Sequence, residues 1–255
     1  MALTSKSLFL YGMQITDANK YIDFQIVGAG PTLTATLEVG YYSLTELLNA
    51  IKTKMESADP TNLYSASADR TISGGTENRV TISTTGAYLS LLFASGIHTA
   101  TSVAPLLGFS TTDQTGATTY TGTSSAGTPL VTTEIGYSFL GPDKYQTIFG
   151  AVNISASGLK EAIVFQLQQF IQVTFKYEPA AYIESDWVPF FRWAIQQKPF
   201  DFTPEIGNPS LAYSVTMEST PADGKALAYM FQEMLNENHP NLYTTGALKM
   251  RRTEV

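Results

Sequence analysis

Leu44, Leu47, Leu48, Ile51 and Met55 recur at helical spacing along one face. Ser43 stands at their start and Glu46 three residues on, the signature of a capping box. The pattern predicts a helix that ends at Asp59-Pro60. A second stripe, Trp187, Phe190, Phe191, Ala194 and Ile195, predicts an aromatic helix. Ser185 or Asp186 is placed to cap it, and Pro189 is tolerable in a first turn whose amides lack intrahelical partners. It must stop near Gln197, because Lys198 precedes Pro199. A third stripe, Leu227, Met230, Phe231, Met234 and Leu235, follows Thr220-Pro221 and predicts a last helix closed by Pro240.

Between the helices the period is two. Short strands are expected over 7–11, 21–27, 33–39, 63–68 and 79–83. Residues 89–93 fit either a strand or a short buried helix, and 101–107 fit a helical turn. In the second half Ile163, Phe165 and Leu167 alternate, then Ile171, Val173, Phe175 and Tyr177, with Gln168-Gln169 as a candidate tight turn. Phe200-Asp-Phe-Thr203, the run Leu211 to Met217, and 245–251 read as further strands. This order predicts an α+β, β-rich fold with antiparallel sheets. From Ser110 to Thr133, 16 of 24 residues are Ser, Thr or Gly, a flexible linker or a pair of extended β-arms. A boundary after this stretch separates an N-terminal α+β module, 1–134, from a second domain, 135–255.

Composition narrows the chemistry. The chain has 255 residues, enough for a large core without staples. No cysteine is present, so disulfides, thiolate metal sites and cysteine nucleophiles are excluded. Fifteen basic against 22 acidic residues give a net charge of −7, which argues against a surface that binds nucleic acid by neutralising phosphates. Only 15% of residues are charged, below the usual quarter, as suits a subunit that covers much of itself in an assembly. No run approaches the roughly 20 apolar residues of a membrane helix, and Leu8 to Tyr11 is too short for a signal-peptide core. The chain is expected to be soluble and made in a cytoplasm.

Catalytic signatures are missing. Gly28-Ala-Gly30 opens like a dinucleotide fingerprint, but Leu33 holds the third glycine position and no helix follows. There is no phosphate-loop lysine motif and no Gly-x-Ser-x-Gly elbow. The histidines are His98, in a Gly-Ile-His-Thr loop, and His239, at a predicted helix end; capping or solvated roles suit both better than catalysis. No His or Cys cluster offers a zinc site, and Asp223 and Glu233 are too far apart for one helical face. The chain is therefore expected to be no enzyme, with no cofactor and no metal. Aromatic stripes are core far more often than cofactor boxes, so Trp187, Phe190, Phe191, Trp193, Phe200 and Phe202 are expected as structural core. Lys249, Arg251 and Arg252 read as an edge strand guarded by charge, or as contacts to an acidic neighbouring subunit.

Two stretches resemble structural proteins of tailed bacteriophages. The first runs through Asn19-Lys-Tyr-Ile-Asp-Phe24, Gly40-Tyr-Tyr-Ser-Leu-Thr-Glu-Leu-Leu48, Asn78-Arg-Val-Thr-Ile-Ser83, Leu91-Leu-Phe-Ala-Ser-Gly96, Leu106-Leu-Gly-Phe109 and Tyr120-Thr-Gly122. It is similar to a module found in phage virion proteins. The second, Asn153-Ile-Ser-Ala-Ser-Gly158, Phe191-Arg-Trp-Ala194, Phe200-Asp-Phe-Thr-Pro204, Met217-Glu-Ser-Thr-Pro221 and Gly246-Ala-Leu-Lys-Met250, resembles siphophage distal tail proteins.

That resemblance implies a ring domain, a β-sandwich or split barrel with a packed helix, over 135–255. It implies a homo-oligomeric ring, a hexamer in that family, at the distal end of a virion tail. The ring joins the tail tube protein to the hub, tape measure protein and receptor-binding proteins, and DNA passes through it. Many family members carry an extra domain after the ring domain, whereas here the extra module precedes it or is inserted, so strands near 8–27 are candidates for sharing. The rival readings are a receptor- or carbohydrate-binding module using Tyr41, Tyr42 and Tyr120, a cell-wall hydrolase, and another virion ring of the tube, neck or head.

Overall fold

A computed structural model describes residues 7–26, 30–70, 78–127, 129–131, 143–154, 160–175, 178–204, 212–218, 231–233 and 241–253. The fold is β-rich α+β, with several antiparallel sheets and two main helical segments. The chain divides into two compact units. One joins Leu8–Val131 to Lys198–Ser214; the other comprises Met1–Ser7, Thr132–Gln197 and Val215–Val255. The strand Phe200–Thr203 belongs with the first unit, which is therefore not a single run of the chain.

In the first unit the capped helix Leu44–Ala58 sits at the centre. Ser43 accepts a hydrogen bond from the Glu46 amide, and the Glu46 side chain accepts one from the Ser43 amide. The stripe Leu44, Leu47, Leu48, Ile51 and Met55 is buried. Around it lie a four-stranded sheet, ordered Leu33–Thr36, Tyr21–Gln25, Leu89–Leu91, Gln114–Ala117, and a three-stranded one, Thr119–Thr121, Val80–Thr84, Tyr64–Ala68. The short pair Met13–Ile15 and Gly40–Tyr42, unforeseen in the sequence, adds a further edge. Residues 89–91 are strand rather than helix. The Ser/Thr/Gly-rich stretch contains strands at 114–117, 119–121 and 129–131; in Thr119–Thr121 the threonines suit the extended backbone.

The strand Leu8–Leu10 lies between Pro129–Val131 and Phe200–Thr203, with Phe9 opposite Phe202. Phe9 packs on Phe200 and Phe202 at ring separations of 6.1 and 4.8 Å. The alternation Phe-Asp-Phe-Thr would leave Asp201 and Thr203 to solvent, but all four residues are buried. Asp201 is 1% exposed because it meets the start of the capped helix. Its Oδ2 accepts hydrogen bonds from the Thr45 amide and hydroxyl, both at 3.0 Å, and lies 2.7 Å from Arg70 Nη2. Ser43 and Ser214 hydroxyls meet at 2.7 Å on the same side.

The second unit contains an antiparallel ribbon of Asp143–Ile154 and Lys160–Val173. The latter strand runs unbroken through Gln168-Gln169, which is therefore no turn; neither residue has the positive-φ preference that tight hairpins need. Leu248–Arg252 pairs with Phe170–Val173 on one side and with Val215–Met217 on the other. A small sheet holds Glu178–Pro179, Leu242–Thr245 and Phe231–Glu233. The last helix predicted from Thr220 lies outside the described residues except at Phe231–Glu233, which is strand.

The aromatic helix begins earlier than its capping signal suggested. Helical turns at Ala180–Tyr182 lead through a π-helical segment, Ile183–Trp187, into Val188–Ala194. Ser185 and Asp186 are inside the π segment and cap nothing. A widened turn supplies what a proline near the middle of a helical run needs, since Pro189 brings no N–H and crowds the preceding carbonyl. The helix ends as expected, with Gln197 in a left-handed conformation at φ 58°.

Removing one partner of the Asp201–Arg70 pair strands the other charge in the interior. Asp201→Ala is expected to cost about 3–5 kcal/mol in chemical denaturation, and the double change Asp201→Leu, Arg70→Met less than that. Asp59 offers a pH test. Burial raises its carboxyl, but hydrogen bonds from Thr61, Asn62 and Tyr64 outweigh burial and bring it down to about 2. A folded pKa below the unfolded one stabilises above the unfolded value, and the contribution disappears as pH falls from about 4 to about 2. The denaturation midpoint of wild type should exceed that of Asp59→Asn at pH 6, and most of the gap should be gone at pH 2.

Candidate functional site

Two features of the described residues go beyond packing: the ribbon edge in one unit, and a histidine–aspartate pair beside a hollow in the other. The ribbon follows from long alternating strands. Asp143–Ile154 and Lys160–Val173 pair in register from Asp143↔Gln172 to Ile154↔Lys160, with one irregularity between Phe149 and Gly150 that leaves Phe165 as an extra residue. At about 3.4 Å per residue the 14-residue strand spans roughly 45 Å. Only Phe170–Val173 finds a second partner, in Leu248–Arg252. Among the described residues, 160–169 pair with Asp143–Ile154 alone, and Asp143–Ile154 has a free outer edge.

At the base of the ribbon lie the three basic residues. Lys249 Nζ is 4.3 Å from the Phe170 ring centre, Arg251 Nε is 3.0 Å from Glu218 Oε1, and Arg252 donates to Gln169 Oε1. All three thus make contacts within their own unit. The aromatic residues separate into two groups. Trp187, Phe190 and Phe191 are fully buried with Phe175, Trp187 stacking on Phe191 at 5.6 Å and donating from Nε1 to the buried Glu178. Phe200 and Phe202 are buried in the other unit against Phe9. Trp193 is half-buried, on the flank of the stripe rather than in it.

His98 is not a solvated loop histidine. Its Nδ1 lies 3.0 Å from Asp23 Oδ1, its amide donates to Asp23 Oδ2 at 2.6 Å, and its ring stacks on Tyr21 at 4.0 Å. Thr34 donates its hydroxyl to the same carboxylate at 2.7 Å. Burial raises the Asp23 carboxyl, and these hydrogen bonds more than offset it, holding the group below the usual carboxylate range. Gly96 makes the approach possible: a Cβ there would lie 2.6 Å from Asp23 Oδ2 and 2.5 Å from the Leu92 carbonyl. Asp113 fixes the other end of the loop by accepting from the Ala94 and Ser95 amides. The sequence signal for this pairing was an aspartate set between Ile22 and Phe24 in an apolar strand, where an unpaired charge would be costly.

Next to the loop is an open hollow of about 590 Å³, lined by Ala18, Asn19, Thr99, Ala100, Ser102, Pro105, Leu106 and Thr111. Chemically the pair orients an imidazole, whose ring makes no hydrogen bond to a hydroxyl among the described residues. Among the described residues no three His, Asp or Glu side chains converge on a metal position, and no helix is long and apolar enough to cross a membrane. His239, Asp223 and the Gly28-Ala29 turn lie outside the described residues. Tyr41 is 42% exposed, with Lys198 Nζ 4.6 Å from its ring centre. Tyr42 donates its hydroxyl to the Glu38 carbonyl and Tyr120 to the Leu89 carbonyl.

Comparison with protein-family models gives no match for this chain, and none is found among curated proteins.

Asp23→Ala removes the acceptor of two loop donors. Amide exchange of His98 should accelerate by about tenfold or more, as expected for the loss of about 1.5–3 kcal/mol in hydrogen bonds to a charged group. Exchange in the capped helix should change less.

Proposed function

We propose that this protein is a non-enzymatic structural subunit that assembles with copies of itself, in the manner of the ring-forming distal tail proteins of siphophages that its motifs resemble. In this reading the ring sits at the end of a virion tail, joins the tube to the hub and receptor-binding apparatus, and passes DNA. The observation that carries the assembly part is the ribbon. A two-stranded ribbon is marginal in water by itself, and among the described residues Asp143–Ile154 leaves a row of backbone donors and acceptors for another strand. A neighbouring copy that adds a strand there satisfies those groups and closes a ring without free edges. The net charge of −7 supports passage rather than capture of DNA.

Light scattering on a size-exclusion column at several concentrations tests the reading. A closed multiple of 27.7 kDa, six-fold in the family-like case, is expected; a monomer at every concentration would count against it. Along an edge strand, successive N–H groups point alternately inward and outward. Of Gln146→Pro and Thr147→Pro, the variant that loses an outward N–H should therefore stay folded by circular dichroism and fall to a smaller species.

A further inference from the structure

The loop around His98 is built to be rigid, yet it presents an apolar side chain to water. Ile97 is 75% exposed, more than any other large hydrophobic residue among those described. The backbone on either side of it is held at five points: Ala94 and Ser95 by Asp113, Gly96 by the Leu92 carbonyl, His98 by Asp23, and Thr101 by the His98 carbonyl. The His98 ring is clamped as well, between Asp23 and the face of Tyr21. A loop fixed in this way loses little entropy when its tip is buried. Such anchors are what association surfaces use.

The hollow begins one residue beyond the clamp. Thr99 and Ala100 form part of its lining together with Ala18, Pro105 and Leu106. Its volume of about 590 Å³ is ample for an isoleucine side chain. None of its lining residues is charged, and the nearby Asp17 and Lys20 compensate each other at 2.8 Å. Copies of a chain with net charge −7 repel one another over most of their surface, so a hollow without charged lining, with the Asp113 carboxylate beside its loop held by the Ala94 and Ser95 amides, is where two of them can meet.

Ile97 and Thr99, the first lining residue of the loop, are two positions apart and both exposed. That arrangement fits a two-fold contact, in which residue i of one copy meets residue j of the other and the reverse, rather than a head-to-tail contact between different faces. We propose that a second copy of this chain docks face to face here, each Ile97 entering the hollow of its partner. The contact is separate from the ribbon edge and goes beyond the ring reading: it pairs copies, or pairs whole rings, back to back.

The test is the solution mass of the full-length protein across a concentration series, for wild type, Ile97→Asp and Ala100→Glu. Both positions are exposed, so the fold should survive, as near-unchanged thermal unfolding would verify. Wild type is expected to reach twice the mass of either variant at the highest concentration. Equal masses for wild type and both variants at every concentration would overturn the proposal. The ring reading is scored separately: if it alone fails, wild type stops at a dimer and the variants at a monomer; if only the two-fold contact fails, all three form the same ring.

Discussion

Asp201 carries more of the first unit than any other single group. A carboxylate in the interior is tolerable only when several donors converge on it. Here the donors are the second amide of a helix, the hydroxyl of the same residue, and a guanidinium that is itself 9% exposed. The strand that brings Asp201 lies about 70 residues, on the order of half the unit's own length, beyond Val131. Each component depends on it: the helix N-terminus loses an acceptor, Arg70 loses its counter-charge, and Phe9 loses Phe200 and Phe202. The unit is therefore closed by a segment from late in the chain, and the boundary in space does not follow a single cut in the sequence.

The second unit solves a related problem with aromatic packing. Trp187 needs a partner for its ring nitrogen once buried, and Glu178 supplies it. The π-helical turn at Ile183–Trp187 precedes Pro189 and lets one helical segment carry both the tryptophan and the Phe190-Phe191 pair into the same core. The strand Leu248–Arg252 then ties Val215–Met217 to the foot of the ribbon. Its basic residues are spent on that junction, through a ring face, a glutamate and a glutamine.

What the protein offers to other molecules follows from what these two cores leave unfinished. The ribbon presents an edge of backbone hydrogen-bonding groups, and the clamped loop presents an apolar tip beside a neutral hollow. The two assembly geometries we propose differ accordingly: strand addition at the ribbon edge and side-chain insertion at the loop.

The sequence alone determined the features that depend on near neighbours. The capped helix was legible because Ser43, Glu46 and the stripe from Leu44 to Met55 act within one helix, and the strand Phe200–Thr203 because period two is a local property. The stop at Gln197 was legible because proline restricts the residue before it. Tertiary structure decided the rest. Whether Asp201 faces water or a helix end depends on which segment arrives there, and alternation says only that it opposes Phe200 and Phe202. His98 read as solvated because its partner, Asp23, is 75 positions away. Gln168-Gln169 read as a turn because polar residues interrupt an apolar pattern, while cross-strand pairing with Asp143–Ile154 carries the strand through them. Local periodicity reports the preferences of the backbone; buried charge pairs and strand partners are set by long-range closure, which only the folded chain contains.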